Sequence, residues 1–349
     1  MAIRVGVIGL NYGERVHLPA YKANPKYEVV AVCARTPGRA EEVAHTHHVP
    51  HWYTDARQLI ASELDLISIA SPPQTHSGFA AAAMAAGKDV VVEIGFVPGI
   101  LEARVLLGMA QQFKRLGAPA YVMRYTPLLR VVSDLLVQNE LGRPRFLRFD
   151  FFVNFLAMTP QSYRWMWDGD HGGGILMAFA SHMLDLARQW FGPVAEVDSV
   201  LATFTEVAHT TGTVADDSGA VLLTFENGLL ATLNYSAACA YPQTRIEIHG
   251  TEASLIIEGF GERASLMRMG EAAGEPVYPP AAYLEETRGH SGLPGGFSVF
   301  LTRLARALEE QKIPPTLPTL TDGWEVTRIL EAIRVATRER RRVRVSEIT

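Results

Sequence analysis

The chain of 349 residues is short of several things, and each shortage removes a class of function. It has two cysteines, Cys33 and Cys239. Two thiols so far apart make neither a disulfide framework nor a structural metal site, and they fit a reducing compartment. Positive charge is not in surplus, since 32 Lys and Arg stand against 37 Asp and Glu for a net charge of −5. Without a basic footprint, neither nucleic acid nor an anionic membrane is the expected partner. Long apolar runs are missing too. The alanine-rich "GFAAAAMAAGKD" ends in charge after a few turns, short of the roughly 20 residues of a membrane-spanning helix. The opening "MAIRVGVIGL" lacks the long apolar core and the small-residue cleavage site of an export signal, and reads as a first strand. The expected location is cytoplasmic. Lysine is scarce as well: Lys22, Lys26, Lys88, Lys114 and Lys312 are the whole supply.

What is present is an alternation. "IRVGVIGL", "YEVVAVCA", "LDLISIAS" and "KDVVVEIG" read as strands, separated by the helical patterns "VHLPAYKAN", "GRAEEVAHTHH", "DARQLIASE" and "HSGFAAAAMAAG". Strands this apolar, spaced by helices, predict a parallel, doubly wound sheet covered on both faces. From about "AYVMRY" the grammar changes to a helix "LLRVVSDLLVQNELG", a strand "RFLRFDFFVNF", a helix opening at Gly172–Gly174, and two strand pairs. The first pair turns at Asn227-Gly228, a strong short-range hairpin signal. The second half is therefore expected to be a mainly antiparallel sheet with helices. The predicted domains are 1–122 and 123–349, with the last helices, "FSVFLTRLARALEEQ" and "WEVTRILEAIRVATRER", able to return to the first.

Ligands of a doubly wound sheet collect at the carboxyl ends of its strands. The first such loop, "GLNYGERVH", puts Gly9, Asn11 and Glu14 at the three glycine positions of the G-x-G-x-x-G fingerprint, with Tyr12 and an extra Gly13 between them. Asparagine tolerates the left-handed backbone, so a pyrophosphate turn is compatible. A tight turn without a ligand is the alternative. The second loop, "AVCARTPGR", has no acid to hold ribose hydroxyls but offers Arg35, whose guanidinium suits a 2′-phosphate. This favours NADP(H), with NAD(H) second. The competing reading makes Arg35 a solvated surface arginine like Arg39. Four histidines in "HTHHVPHW" lack a Cys or Asp to complete a zinc set, and no metal is expected.

Taken in order, "VGVIGL…HLPAY", "VVAVCAR", "DLISIASPPQTHSGFAAAAMAAGKDVVVE", "RYTPLLR", "GGGILMAFASHMLDLARQWFG" and "IEIHGTEASLIIE" resemble the Gfo/Idh/MocA family of NAD(P)-dependent oxidoreductases over nearly the whole chain. The resemblance implies an N-terminal Rossmann domain, then an α/β domain with a large open sheet, and activity on sugars, inositols and related hydroxy compounds. It places Ser71, Pro72 and His76 beside the cofactor, with a helix cap as the alternative for His76. It sets Glu93 toward the nicotinamide and Arg124 near the substrate, with a domain-hinge salt bridge as the alternative for Arg124. Two departures stand out. Where relatives carry Glu-Lys-Pro, this chain has Glu93-Ile94-Gly95. Lys88 begins the strand that Glu93 ends, so at about 3.3 Å per residue it lies roughly 16 Å away. In the helix after the triple glycine, relatives place an aspartate four residues before a histidine; here the pair is Ala178 and His182.

His182 is the acid/base candidate that survives. Leu176, Phe179, Ala180, Met183, Ala187 and Trp190 form an apolar stripe, while Ala178, His182, Asp185 and Gln189 form a second, more polar one. That separates His182 from a packed core histidine, the competing reading, and adds Asp185 as a substrate contact. Tyr163, Trp165 and Trp167 are expected to wall the pocket or else to be core aromatics. The expected function is hydride transfer between NAD(P) and a small hydroxy or carbonyl compound, with Glu93 and His182 in the reaction centre. A dinucleotide-binding sensor without catalysis and a non-redox hydrolase or lyase using bound NAD(P) stay open as alternatives. One face of an open antiparallel sheet needs cover, so a homodimer or homotetramer is expected.

Overall fold

Six short strands make the first sheet: β1 (Ile3–Ile8), β2 (Tyr27–Cys33), β3 (His51–Tyr53), β4 (Leu66–Ile69), β5 (Asp89–Val92) and β6 (Gly117–Pro119). All pair in parallel, in the order β3-β2-β1-β4-β5-β6. The chain reverses direction of winding between β1 and β4, which creates the crevice where doubly wound sheets bind their ligands. A π-helical turn at Gly13–His17 runs into α1 (Leu18–Lys22); α2 (Pro37–Thr46), α3 (Ala56–Ala61), α4 (His76–Ala85) and α5 (Ile100–Phe113) follow. Val5, Val7, Leu66, Ile67, Ile69 and Val90 are fully buried. Cover on both faces is why these strands read as unbroken apolar runs. The computed structural model describes residues 2–154, 165–206 and 213–349.

The second sheet has nine strands: β7 (Phe146–Phe152), β8 (Val194–Ala202), β9 (Ser218–Phe225), β10 (Leu230–Ser236), β11 (Gln243–His249), β12 (Ala253–Glu258), β13 (Arg263–Arg268), β14 (Glu275–Val277) and β15 (Val343–Arg344). Their order is β14-β13-β12-β11-β7-β10-β9-β8-β15. Among the described residues β7 and β10 pair in parallel and the other neighbours are antiparallel. The β9–β10 turn uses the expected pair: Gly228 has φ +84° and Asn227 Oδ1 accepts the Leu229 N–H at 3.0 Å. Leu147, Phe149, Phe151, Leu223, Leu233, Ile248 and Ile257 are buried on one face. The other face mixes exposed Val200, Leu222 and Met267 with a charge ladder in which Arg148 meets Asp150, and Arg245 meets Glu247. Helices α6 (Pro127–Val137), α7 (Ser181–Phe191) and α8 (Ala281–Glu286) complete this region, α7 continuing a π-helical turn at Leu176–Ala180.

Two long helices remain, α9 (Gly292–Glu310) and α10 (Leu320–Glu339). Chain contacts divide the molecule into Met1–Val122 with Glu286–Glu325, and Met123–Glu285 with Val326–Thr349. Residues 286–325 thus leave the block that follows residue 122 and finish the first unit. Leu320 joins its core with Ile67, Val90 and Phe96. Gly117 makes room for it, since a Cβ there would lie 2.5 Å from Leu320 Cδ1. The Tyr27 hydroxyl donates to the Leu301 carbonyl at 2.7 Å.

Candidate functional site

In the first unit the loop after β1 is shaped by Gly9. Its φ is +96°, and a Cβ there would lie 2.5 Å from the carbonyl carbon and oxygen of Ala70 and from Ser71 N. Only glycine meets both demands, and the loops after β1 and β4 are thereby held in contact. Gly13 takes the close-packing task that the fingerprint gives to its third glycine: a Cβ there would sit 3.2 Å from Val7 Cγ1 and 3.4 Å from Ala70 Cβ. Glu14 is thereby released to pair with Arg39 and His47. Arg39 is therefore not the solvated surface arginine of the sequence reading; it spans Glu14 and Glu42. Arg35 is exposed just beyond β2. A tight glycine turn that leads from β1 into the helical turn Gly13–His17 suits a pyrophosphate, and Gly9, Asn11, Tyr12 and Gly13 are the residues that would hold it.

The loops after β4 and β5 are tied together from beneath. Ser71 Oγ and Thr75 Oγ1 share a hydrogen bond at 2.6 Å. His76 is buried, with Nδ1 2.9 Å from the Phe96 carbonyl and Nε2 2.6 Å from the Ser71 carbonyl. Burial lowers its pKa against the pull of those carbonyls. The ring therefore braces Ser71 and Pro72, and any effect on a cofactor passes through that loop. Glu93 is held at both oxygens: Ile94 N–H donates to Oε2 at 2.7 Å, and Oε1 lies 2.9 Å from His17 Nε2. Its side chain is 13% exposed. Ile94 packs on the apolar core of the first unit. Three of the five lysines are engaged elsewhere. Lys88 donates to the Ser62 and Leu64 carbonyls, Lys22 to the His47 carbonyl, and Lys26 pairs with Glu309. His17 escaped the sequence reading. Its signal was a lone histidine inside the apolar pattern "VHLPAY".

In the second unit, Asp216 sets the start of the helix. Its Oδ2 accepts the Leu176 N–H and the Tyr235 hydroxyl, each at 2.8 Å, and burial raises its pKa. The π-helical turn that follows, a form frequent at functional sites, delivers His182 in the first turn of α7, 6% exposed. Asp185 and Arg124 form a buried, two-pronged ion pair, Nε to Oδ2 at 2.6 Å and Nη2 to Oδ1 at 2.5 Å. The two residues expected at the substrate thus satisfy each other, and both lie within the second unit rather than across a hinge. Of the stripe read as polar, His182 and Asp185 are buried, Asp185 with Arg124 as its partner, while Ala178 and Gln189 are half-buried. Trp165 is half-buried, Trp167 is a core residue at 1% exposure, and Tyr163 lies outside the described residues. Among the described residues no group of three or more His, Cys, Asp or Glu could hold a metal, and no helix is long and apolar enough to cross a membrane.

Comparison with known proteins agrees with this architecture. Residues 3–117 match the oxidoreductase family with NAD-binding Rossmann fold, and residues 129–256 match the GFO/IDH/MocA C-terminal domain. An uncharacterized oxidoreductase of Synechocystis is 28% identical over 264 residues, 73% of this chain and 71% of that protein. D-apiose dehydrogenase of Paraburkholderia graminis is 26% identical over 286 residues, 79% of this chain and 73% of that one. The structure of levoglucosan dehydrogenase in complex with NADH and levoglucosan superposes with a TM-score of 0.90 at 23% identity, covering 99% of this chain and 100% of that one. At that identity the likeness speaks to the fold. With both of its domains matched, this chain belongs to the Gfo/Idh/MocA family of oxidoreductases and carries the family's NAD-binding Rossmann domain.

Proposed function

We propose that the protein interconverts a hydroxyl and a carbonyl on a small sugar-, polyol- or inositol-like compound. The dinucleotide, when bound, accepts or supplies the hydride. The observation that carries this reading is Glu93, a carboxylate at the end of β5 held by donors at both oxygens, where a doubly wound sheet receives its ligand. A fixed acceptor there suits the amide of a nicotinamide ring. His182 takes or returns the hydroxyl proton, and Arg124–Asp185 steadies its helix. The names of D-apiose dehydrogenase and levoglucosan dehydrogenase support sugar-like substrates. Ile94 and Ala178 make the reacting region less polar than the family pattern, which favours substrates with fewer hydroxyls than a full hexose.

NADP(H) is the preferred dinucleotide in this reading, because β2 ends without an acid and Arg35 is exposed beside it. Charge-assisted pairing predicts NADPH tighter than NADH by about tenfold, roughly 1.4 kcal/mol. Calorimetric titration of both, followed by turnover against a panel of sugars, polyols and aldehydes, tests cofactor and function together. Equal affinities remove Arg35 from the site. Tight nucleotide binding with no turnover across the panel would leave a binding module.

The open face of the second sheet is proposed to be covered by another copy. Val200, Leu222 and Met267 are exposed on strands whose outward charges already pair among themselves, so the face has little to gain from water. Light scattering at micromolar concentration is expected to report a dimer or tetramer; a monomer contradicts this.

A further inference from the structure

His17 is completely buried and stacks on Phe297 of α9, with ring centroids 4.3 Å apart and planes inclined by 25°. Burying an imidazole is costly unless its nitrogens find partners. Here Nδ1 lies 2.8 Å from Ser68 Oγ and Nε2 lies 2.9 Å from Glu93 Oε1. Ser68 is itself fully buried in β4. Hydrogen-bond arithmetic orders the chain. An ionised carboxylate only accepts, so Nε2 carries the hydrogen; a neutral imidazole has one N–H, so Nδ1 accepts and the Ser68 hydroxyl donates. With the Ile94 N–H on Oε2, each oxygen of Glu93 faces a donor.

We infer that His17 is a positioning residue: with Ser68 behind it, it fixes Glu93 as a preoriented acceptor for the amide group of the nicotinamide ring. The inference rests on the proposed function, in which Glu93 meets that ring. A glutamate free to rotate gives up rotamer freedom when it binds, whereas one held beforehand has already done so. The holding is selective for one end of the dinucleotide. Gly9 and its neighbours serve the pyrophosphate, and the hydrogen bonds of the Ser68–His17–Glu93 chain do not run to them; the contact with that loop is the edge-on packing of Tyr12 on the His17 ring, centroids 5.8 Å apart, which a phenylalanine at 17 retains.

The test compares NADH with ADP-ribose, which keeps the pyrophosphate and lacks the nicotinamide ring. His17→Phe preserves the stack on Phe297 and removes the donor. It is expected to weaken NADH by about tenfold and to leave ADP-ribose within about twofold. His17→Gln, whose amide can donate near the position of Nε2, is expected to recover part of the loss. In the cycle with Glu93→Gln, the double variant is expected to bind NADH no worse than Glu93→Gln alone, the mark of residues acting in series. Should His17→Phe fail to fold, Ser68→Ala carries the same comparison with a smaller loss of the same selectivity. Equal losses for the two ligands would make His17 a structural residue and overturn the inference, as would losses that multiply in the double variant. Wild type that binds ADP-ribose but gains nothing from the nicotinamide ring would overturn the proposed role of Glu93 and this inference together.

Discussion

His182→Ala is expected to lower kcat by about 10² to 10⁴, the usual contribution of a positioned acid/base. The family pattern implied by the resemblance, Glu-Lys-Pro with Asp-x-x-x-His, offers three polar groups for the reacting hydroxyl: a lysine, an aspartate and a histidine. In this chain Ile94 and Ala178 replace two of them, and the lysines whose partners are seen are engaged elsewhere. In the proposed function the burden of proton transfer is thus concentrated on one imidazole. Cofactor affinity is expected to stay within about twofold, because the glycine loop proposed to hold the pyrophosphate belongs to the other unit. Turnover and nucleotide binding measured on the same preparations separate the two quantities. A loss of less than about fivefold in kcat would move the proton to another group. The complementary variant, Ile94→Lys with Ala178→Asp, is expected to gain polyol oxidation if the pocket has kept its family geometry.

Asp185→Ala is expected to destabilise the second unit by about 3–5 kcal/mol, since it leaves the Arg124 guanidinium buried without its two-pronged partner. Desolvation governs this number. Paired, the buried charges offset each other's desolvation; singly, either one loses its two-pronged counterion. Replacing both, as Arg124→Met with Asp185→Leu, is accordingly expected to be far milder than either single change, and neutral or stabilising relative to wild type. Urea unfolding of the two single variants and the double gives the coupling directly. If the singles cost under about 1 kcal/mol, the pair is solvated in solution and the helix carrying His182 is anchored by something else.

What could be read in the sequence followed from local pattern. β1, β2, β4 and β5 were visible because strands covered on both faces are runs of Val and Ile. β3 and β6 were not, since each is three residues long, one set in a histidine-rich segment and the other reading Gly-Ala-Pro. Asn227-Gly228 announced its hairpin, whereas the parallel pairing of β7 with β10 has no local signature. Glu93 was legible as an acid at a strand mouth. His17 was not, because its partners lie at positions 68, 93 and 297, brought together by the fold. The Arg124–Asp185 pair hid for the same reason: each residue alone looks like a charge awaiting a ligand. Glu14 looked like a broken fingerprint only because spacing cannot show that Gly13 already makes the close contact.

The first unit is discontinuous, and this has a consequence for how the chain comes off the ribosome. The sheet strands are all synthesised by residue 119, yet Phe297, which covers His17, and Leu320, which fills the space over Gly117, emerge only after the whole second sheet except β15. At about 5–20 residues per second the nascent dinucleotide domain waits roughly 10–40 s for its own core. During that interval the His17 ring behind Glu93 lacks its aromatic cover. Chains that stop within the second sheet lack both the ring that stacks on His17 and the side chain that fills the space over Gly117.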